Sequence, residues 1–283
     1  MPKLLDAKPK MSVSDKNSSS VLVFDSGLGG LTVLREISRQ RPDLRLTYAA
    51  DDSAFPYGRI DEQALTERVV NVVGTLITQL RPALVVIACN TASTLALPSL
   101  RKRYSIPFVG TVPAIKPACE RSISKRVSVL ATSGTVRRDY TQALIREFGA
   151  DSQVTLVGSE RLAALAEAAL HGEQVADDEI AQEIGDCFID DGARTDTIVL
   201  ACTHYPLILD RLKKLSPWPV EWIDPAVAIA RRVASLLPIS QGPKGQPIEA
   251  YFTSGRPPTA ALVKTLAQFG AKASRNDALK IPV

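Results

Sequence analysis

The chain of 283 residues is short of several things at once. Phe, Trp and Tyr make up only 5% of it, which leaves few rings for bases to stack on. Neither sign of charge prevails: 34 Lys and Arg against 30 Asp and Glu leave +4, spread along the chain rather than clustered. Those two shortages argue against direct nucleic-acid binding. No apolar run approaches the ~20 residues that cross a bilayer, so no membrane span is expected. The opening MPKLLDAKPKMSVSDKNSSS lacks the apolar stretch and small-residue cleavage site of a secretory signal. Four cysteines, at 89, 119, 187 and 202, show no Cys-x-x-Cys spacing, and the histidines are two, His171 and His204. A disulfide scaffold and a Cys/His metal site are both disfavoured, so no metal is expected. Reduced thiols in the cytoplasm are the expectation.

What is present is an ordinary core: 45% hydrophobic and 23% charged residues, in a chain long enough for two domains. Residues 1–19 are polar, rich in Lys and Ser and without periodicity, and are expected to form a disordered tail. Beyond them, short β-branched runs at 21–25, 46–50, 83–88, 127–132 and 197–201 alternate with longer amphipathic stretches. Asp61 to Leu80 is one such stretch, with Leu65, Val69, Val72, Val73 and Leu76 near helical spacing. The strand runs are too continuously apolar to leave one sheet face wet. The expected fold class is therefore α/β, with mostly parallel sheets covered by helices on both faces.

Ligands in such sheets bind beyond the carboxyl ends of the strands, which directs attention to the residues just after each run. Asp25-Ser26-Gly27-Leu28-Gly29-Gly30 follows the first. Its glycine spacing departs from the dinucleotide fingerprint, because Thr32 stands where a third glycine belongs, and no Gly-Lys-Ser/Thr ending marks a nucleotide loop. Backbone N–H groups at a helix start favour an anion, and a carboxylate satisfies them as well as a phosphate. A tight strand-to-helix turn explains the same glycines. Asp25 reads equally as a helix cap and as a partner for a nearby thiol. Pro56-Tyr57-Gly58 reads as a turn whose tyrosine could cover a ligand.

Cys119 and Cys187 sit in helical surroundings and read as small buried hydrophobes. Cys89 and Cys202 differ: each ends an apolar run and follows Ala, VVIACNT against IVLACTH, in separate halves of the chain. A cysteine at a helix mouth is expected to have a lowered pKa, which would make it a usable base. Two such thiols facing each other suggest proton removal on one side of a carbon and delivery on the other. A single cysteine nucleophile paired with His204 is the competing scheme, and a disulfide is disfavoured by the compartment.

FDSGLGGLTVLREI, ADDSAFPYG, IACNTAST, VGTVPAIKPA and LACTHYPLI, in that order, closely resemble the glutamate racemases of bacteria, within the cofactor-independent aspartate/glutamate racemase superfamily. The likeness runs from about Val21 to Pro225. It implies an isomerase that interconverts L- and D-glutamate without pyridoxal phosphate, metal or other cofactor, supplying D-glutamate for peptidoglycan and so for cell-wall building and cell shape. By the resemblance, Cys89 takes the proton from D-glutamate and Cys202 from L-glutamate. Asp25 assists Cys89, and His204 assists Cys202. Substrate contacts carry over to Asp25, Ser26, Tyr57, Gly58, Asn90, Thr91, Thr203 and His204. Glu167 is the best match to a family glutamate that helps the acid/base work, although the Cys-Pro pair that often precedes it is missing and a solvent-facing helix carboxylate is the competing reading. The resemblance further implies a homodimer and two α/β domains around the site: 20–114 with 224–283, and 115–223. Rival readings are an aspartate or hydantoin racemase, a relative that binds a small molecule without turnover, and a cysteine hydrolase.

Overall fold

The protein is described from a computed structural model, in which residues 19–149, 151–241 and 243–274 have defined positions. The expected tail lies outside the described residues except for Ser19, whose carbonyl accepts a bond from the Arg45 N–H at 3.0 Å. Strands β1 (Ser20–Asp25), β2 (Arg45–Ala50), β3 (Leu84–Ile87), β4 (Phe108–Gly110), β9 (Ile248–Phe252) and β10 (Ala271–Ala273) form a six-stranded sheet in the order β10-β9-β2-β1-β3-β4. Between them in sequence, β5 (Arg126–Thr132), β6 (Gln153–Ser159), β7 (Thr197–Ala201) and β8 (Glu221–Ile223) form a four-stranded sheet in the order β6-β5-β7-β8. Every ladder in both sheets is parallel.

Both faces of the larger sheet are dry, for the period-two reason that makes its strands apolar throughout. Val21, Val23, Leu84 and Val86 point into a core covered by the helices Leu31–Gln40 and Ala226–Leu236. Leu22, Phe24, Val85 and Ile87 point the other way, against Glu62–Leu80 and Asn90–Arg103. The helix expected from Asp61 begins at Glu62, because the Asp61 side chain caps it by accepting from the N–H groups of Gln63 and Ala64. It stops at Arg81, which takes a left-handed conformation with φ 47°. Among the described residues no helix is long and apolar enough to cross a membrane.

The two sheets share one design at their centres. β1 lies between β2 and β3, and β5 lies between β6 and β7, so the chain reverses its direction of travel across each sheet next to that strand. Such a reversal splays the following loops apart and opens a crevice at the carboxyl edge. Asp25 and Cys89 therefore emerge beside the first crevice, Thr132 and Cys202 beside the second.

Candidate active site

The carboxyl edges of the two sheets face each other across one narrow cleft with about 20 Å³ of free space. Ser26, Tyr57, Gly58, Cys89, Asn90 and Thr91 line it from the larger sheet, and Cys202, Thr203 and His204 from the smaller. Both cysteines thus open into the same cavity. Asp25 and Glu167 stand behind its walls rather than in them. A larger cavity of about 670 Å³ runs past Thr111, Lys116, Trp222 and Asp224, and neither Cys89 nor Cys202 lines it.

Each thiol has a carboxylate-based support. On the first wall Asp25, wholly buried at the end of β1, accepts from the Gly30 N–H and from the Thr203 hydroxyl at 3.1 Å. Burial raises its pKa, against the opposing pull of His204 and of the Ser26 and Gly30 N–H groups. On the second wall Cys202 Sγ lies 3.9 Å from His204 Nδ1, and His204 Nε2 lies 2.8 Å from Glu167 Oε2. Glu167 is not a solvent-facing helix carboxylate: only 8% of it is exposed. Burial works against its charge, but His171, His204 and the Leu28 N–H together hold its pKa at about 2. Burial likewise opposes a charged His204, yet Cys202 and Glu167 prevail and raise its pKa well above the ordinary histidine value. A carboxylate that accepts from Nε2–H leaves Nδ1 turned toward the sulfur.

The expected depression of the Cys89 thiol pKa is corrected by the structure. Burial, followed by the Asp25 carboxylate, pushes the Cys89 thiol up, and the Ala92 N–H and Ser26 hydroxyl only partly offset this. Cys89 does cap the helix Asn90–Arg103, but removal from water outweighs the helix terminus. Cys202 is not at an α-helix mouth: a 3₁₀ turn, Tyr205–Ile208, intervenes before the helix Leu209–Leu215.

The N–H groups of the glycine loop are taken by the protein's own carboxyl groups. The Leu28 N–H donates to Glu167 Oε2 at 3.0 Å, and the Gly30 N–H donates to Asp25. The loop must also lack side chains at Gly27 and Gly29. A Cβ on Gly27 would lie 2.9 Å from Glu167 Oε1, and one on Gly29 would lie 2.8 Å from the His204 backbone nitrogen. Gly58 is similarly confined, since its Cβ would meet that of Thr132 at 3.3 Å. These contacts bring the two walls together where a side chain would separate them.

Tyr57 presents its ring to the cleft while its hydroxyl donates to Asp51 Oδ2 at 2.5 Å. Arg68 grips the same carboxylate through Nε at 2.6 Å and Nη2 at 2.7 Å, and the Thr253 hydroxyl completes it at 2.6 Å. Burial disfavours the Asp51 charge, but Arg68, Thr253 and Tyr57 outweigh it and lower the pKa. Asn90 differs from all these residues: both ends of its buried amide lack a hydrogen-bond partner among the described residues. A buried orphan amide at a cavity wall is a waiting contact for a polar ligand.

Residues absent from the sequence-based set also line the cleft. Phe55 stacks near His204 with centroids 5.1 Å apart, Ala163 supplies a small wall, and Thr132 ends β5 within 3.3 Å of the Thr91 hydroxyl. Thr132 had a signal, since it closes a recognised strand run at the same carboxyl edge as the others, and Phe55 stands within the ADDSAFPYG stretch.

The sequence matches the model of the family described as Asp/Glu/hydantoin racemase over residues 28–233. The chain belongs to that family. Among relatives of this racemase, the glutamate racemase of Brucella canis is 52% identical over 257 residues, covering 89% of this chain and 92% of that protein. The glutamate racemase of Brucella anthropi is 58% identical over 219 residues, covering 77% and 79%. A solved structure of Escherichia coli glutamate racemase, in complex with L-glutamate and the activator UDP-MurNAc-ala, superposes with a TM-score of 0.82 at 41% identity, over 90% of this racemase and 96% of that chain.

Proposed function

We infer that this amino-acid racemase interconverts L- and D-glutamate by moving protons at Cα between Cys89 and Cys202. One observation carries the reading: two thiols open into a single closed-in cleft from opposite sheets, each backed by its own titratable partner. Relatives named for glutamate at 52% identity over most of the chain favour this substrate over aspartate or hydantoin. The product serves peptidoglycan synthesis.

The α-proton of an amino acid is a very weak acid, so a base alone does not suffice. The charge that develops on the α-carboxylate must meet donors already in place. In this scheme the unpaired Asn90 amide, the hydroxyls of Ser26, Thr91 and Thr203, and backbone N–H groups at the strand ends supply them. Cys89 takes the proton from D-glutamate and Cys202 from L-glutamate. Asp25, with its raised pKa, holds the proton exchanged with Cys89, and His204, oriented by Glu167, serves Cys202. One thiolate and one thiol are needed at the same moment, so the titration belongs to the pair, and each turnover leaves it reversed. Burial keeps the resting Cys89 protonated. The α-ammonium of the bound substrate is the cation that offsets the cost of its thiolate.

The reading also assigns 20–114 with 224–283 to one α/β domain and 115–223 to the other, supported by the division of strands between the two sheets. The family resemblance supports a homodimer in the cytoplasm, where the four free thiols stay reduced. Sedimentation velocity tests the dimer. The activity itself is tested by optical rotation: purified chain without added cofactor should drive L-glutamate, and separately D-glutamate, to zero rotation. Unchanged rotation from both enantiomers would rule the reading out.

A further inference from the structure

His171 has no part in the chemistry above, yet it ends a line of titratable groups that begins in the cleft. Cys202 Sγ is 3.9 Å from His204 Nδ1, His204 Nε2 is 2.8 Å from Glu167 Oε2, and Glu167 Oε1 is 3.8 Å from His171 Nε2. His204 and Glu167 are buried, whereas the His171 side chain retains 33% exposure. The line therefore leads from a thiol to solvent.

We infer that His171 is a positioning residue for racemisation: as an imidazolium it holds Glu167 Oε1, so that Oε2 stays aimed at His204 and His204 at Cys202. The inference rests on the racemase reading given above. Its geometry comes from the helix Leu162–Leu170, where Glu167 and His171 stand one turn apart on the same face. Two further carboxylates face the imidazole. Glu173 follows it in the chain, and Asp52 comes from the loop after β2, where Ser254 fixes it through its N–H at 2.8 Å. Glu167 first, then Glu173 and Asp52, raise the His171 pKa above the ordinary histidine value, against partial burial. Bulk pH thus reaches the inner carboxylate through a surface imidazole.

A purely structural role has a definite alternative form. The His171 N–H caps the helix by donating to the Glu167 and Ala169 carbonyls, and a cation at a helix C-terminus is stabilising. That role would change thermal stability but not the pH dependence of catalysis. The deciding measurement is kcat/KM for L-glutamate across pH in the full chain and in its His171→Ala and His171→Gln variants. Below the His171 pKa, His171→Ala should lose about tenfold, the worth of one charged contact, and His171→Gln should lose less because its amide still donates. The ratio of wild-type to variant rates should shrink toward one as pH rises through that pKa. A ratio that is flat with pH, or equal to one throughout, overturns the inference and leaves the racemase reading standing. With two histidines in the chain, imidazole NMR titration adds a check that needs no activity. His171 should titrate above ~6.5 and fall in Glu167→Gln; a His171 at or below that value and unmoved by Glu167→Gln overturns the inference as well. A wild-type chain that racemises nothing takes down the racemase reading and this inference with it.

Discussion

The Leu28 N–H donates to both oxygens of the Glu167 carboxylate, at 3.2 and 3.0 Å, across 139 residues of sequence. Leu28 belongs to the glycine loop after β1, and Glu167 to a helix packed on the smaller sheet. The carboxylate that orients His204 is thus held by the opposite wall of the cleft.

Glu167→Gln replaces that carboxylate with a neutral amide of equal size. The His204 imidazolium loses its partner, and kcat/KM should fall by about tenfold to a hundredfold, the worth of one charged hydrogen bond. The stability of the pair has two edges. His204 has a raised folded pKa, so its contribution is complete below ~6.5 and fades as pH rises through the folded value. Glu167 has a folded pKa of about 2, so its contribution is present above its unfolded value and is lost as pH falls toward that figure. Denaturant midpoints measured across pH should show both losses in the wild type and neither to the same depth in Glu167→Gln.

Cys89→Ala and Cys202→Ala should each abolish racemisation, with losses on the order of 10³-fold or more in both directions. A two-base scheme needs both groups whichever enantiomer enters. Near-normal turnover by either variant, followed by circular dichroism, excludes the scheme.

Racemisation in deuterated water should place solvent deuterium at Cα of the product, because the conjugate acid on the far wall delivers its own exchangeable proton. Mass spectrometry of the first product formed reads this directly. Retention of the substrate hydrogen would point to one base acting on both faces.

Gly29→Ala should damage the site without removing a titratable group. Its Cβ would lie 2.6 Å from His204 Nδ1 and 2.8 Å from the His204 backbone nitrogen, and neither is the far end of a flexible side chain. The walls must part, so kcat/KM should drop by at least about tenfold and the melting temperature should fall with it. Full activity in this variant would mean that the loop yields more readily than its packing implies.

Arg41→Ala should destabilise the fold and leave the chemistry alone. Arg41 grips Asp43 through two bonds of 2.8 Å and donates to the Leu237 and Pro238 carbonyls at 2.9 and 2.7 Å, tying the end of the helix Ala226–Leu236 to the larger sheet. Both partners are buried, and breaking such a pair costs about 3–5 kcal/mol. Arg41 holds the Asp43 carboxyl far below the ordinary carboxylate range. The stability it confers is therefore present above ~3.9 and lost as pH falls below that value. Chemical denaturation at pH 7 and under acid conditions checks both statements.

Much of the molecule was legible in the residues. The runs at 21–25, 46–50, 83–88, 127–132 and 197–201 became β1, β2, β3, β5 and β7, the strands that carry the cleft, because continuous apolarity marks a strand buried on both faces. The edge strands β4, β6, β8 and β10 were not read: three have only 3 residues, and β6 is half-exposed, so the same signal is weak or absent. Nine of the named site residues line the cleft because strand ends are where this architecture places its ligands.

By itself the sequence determined the local matters: the strands that carry the cleft, the helix that follows Asp61, and which small polar residues follow each of those strands. Only the tertiary structure decided the electrostatic state of those residues. The glycine loop's N–H groups turned out to serve the carboxyls of Asp25 and Glu167, the Cys89 thiol is raised rather than lowered, and the His204 pKa is raised as well. The physical reason is range. A strand or a cap is settled by neighbours within a few residues, whereas a pKa depends on dehydration and on charges that folding brings together from distant parts of the chain.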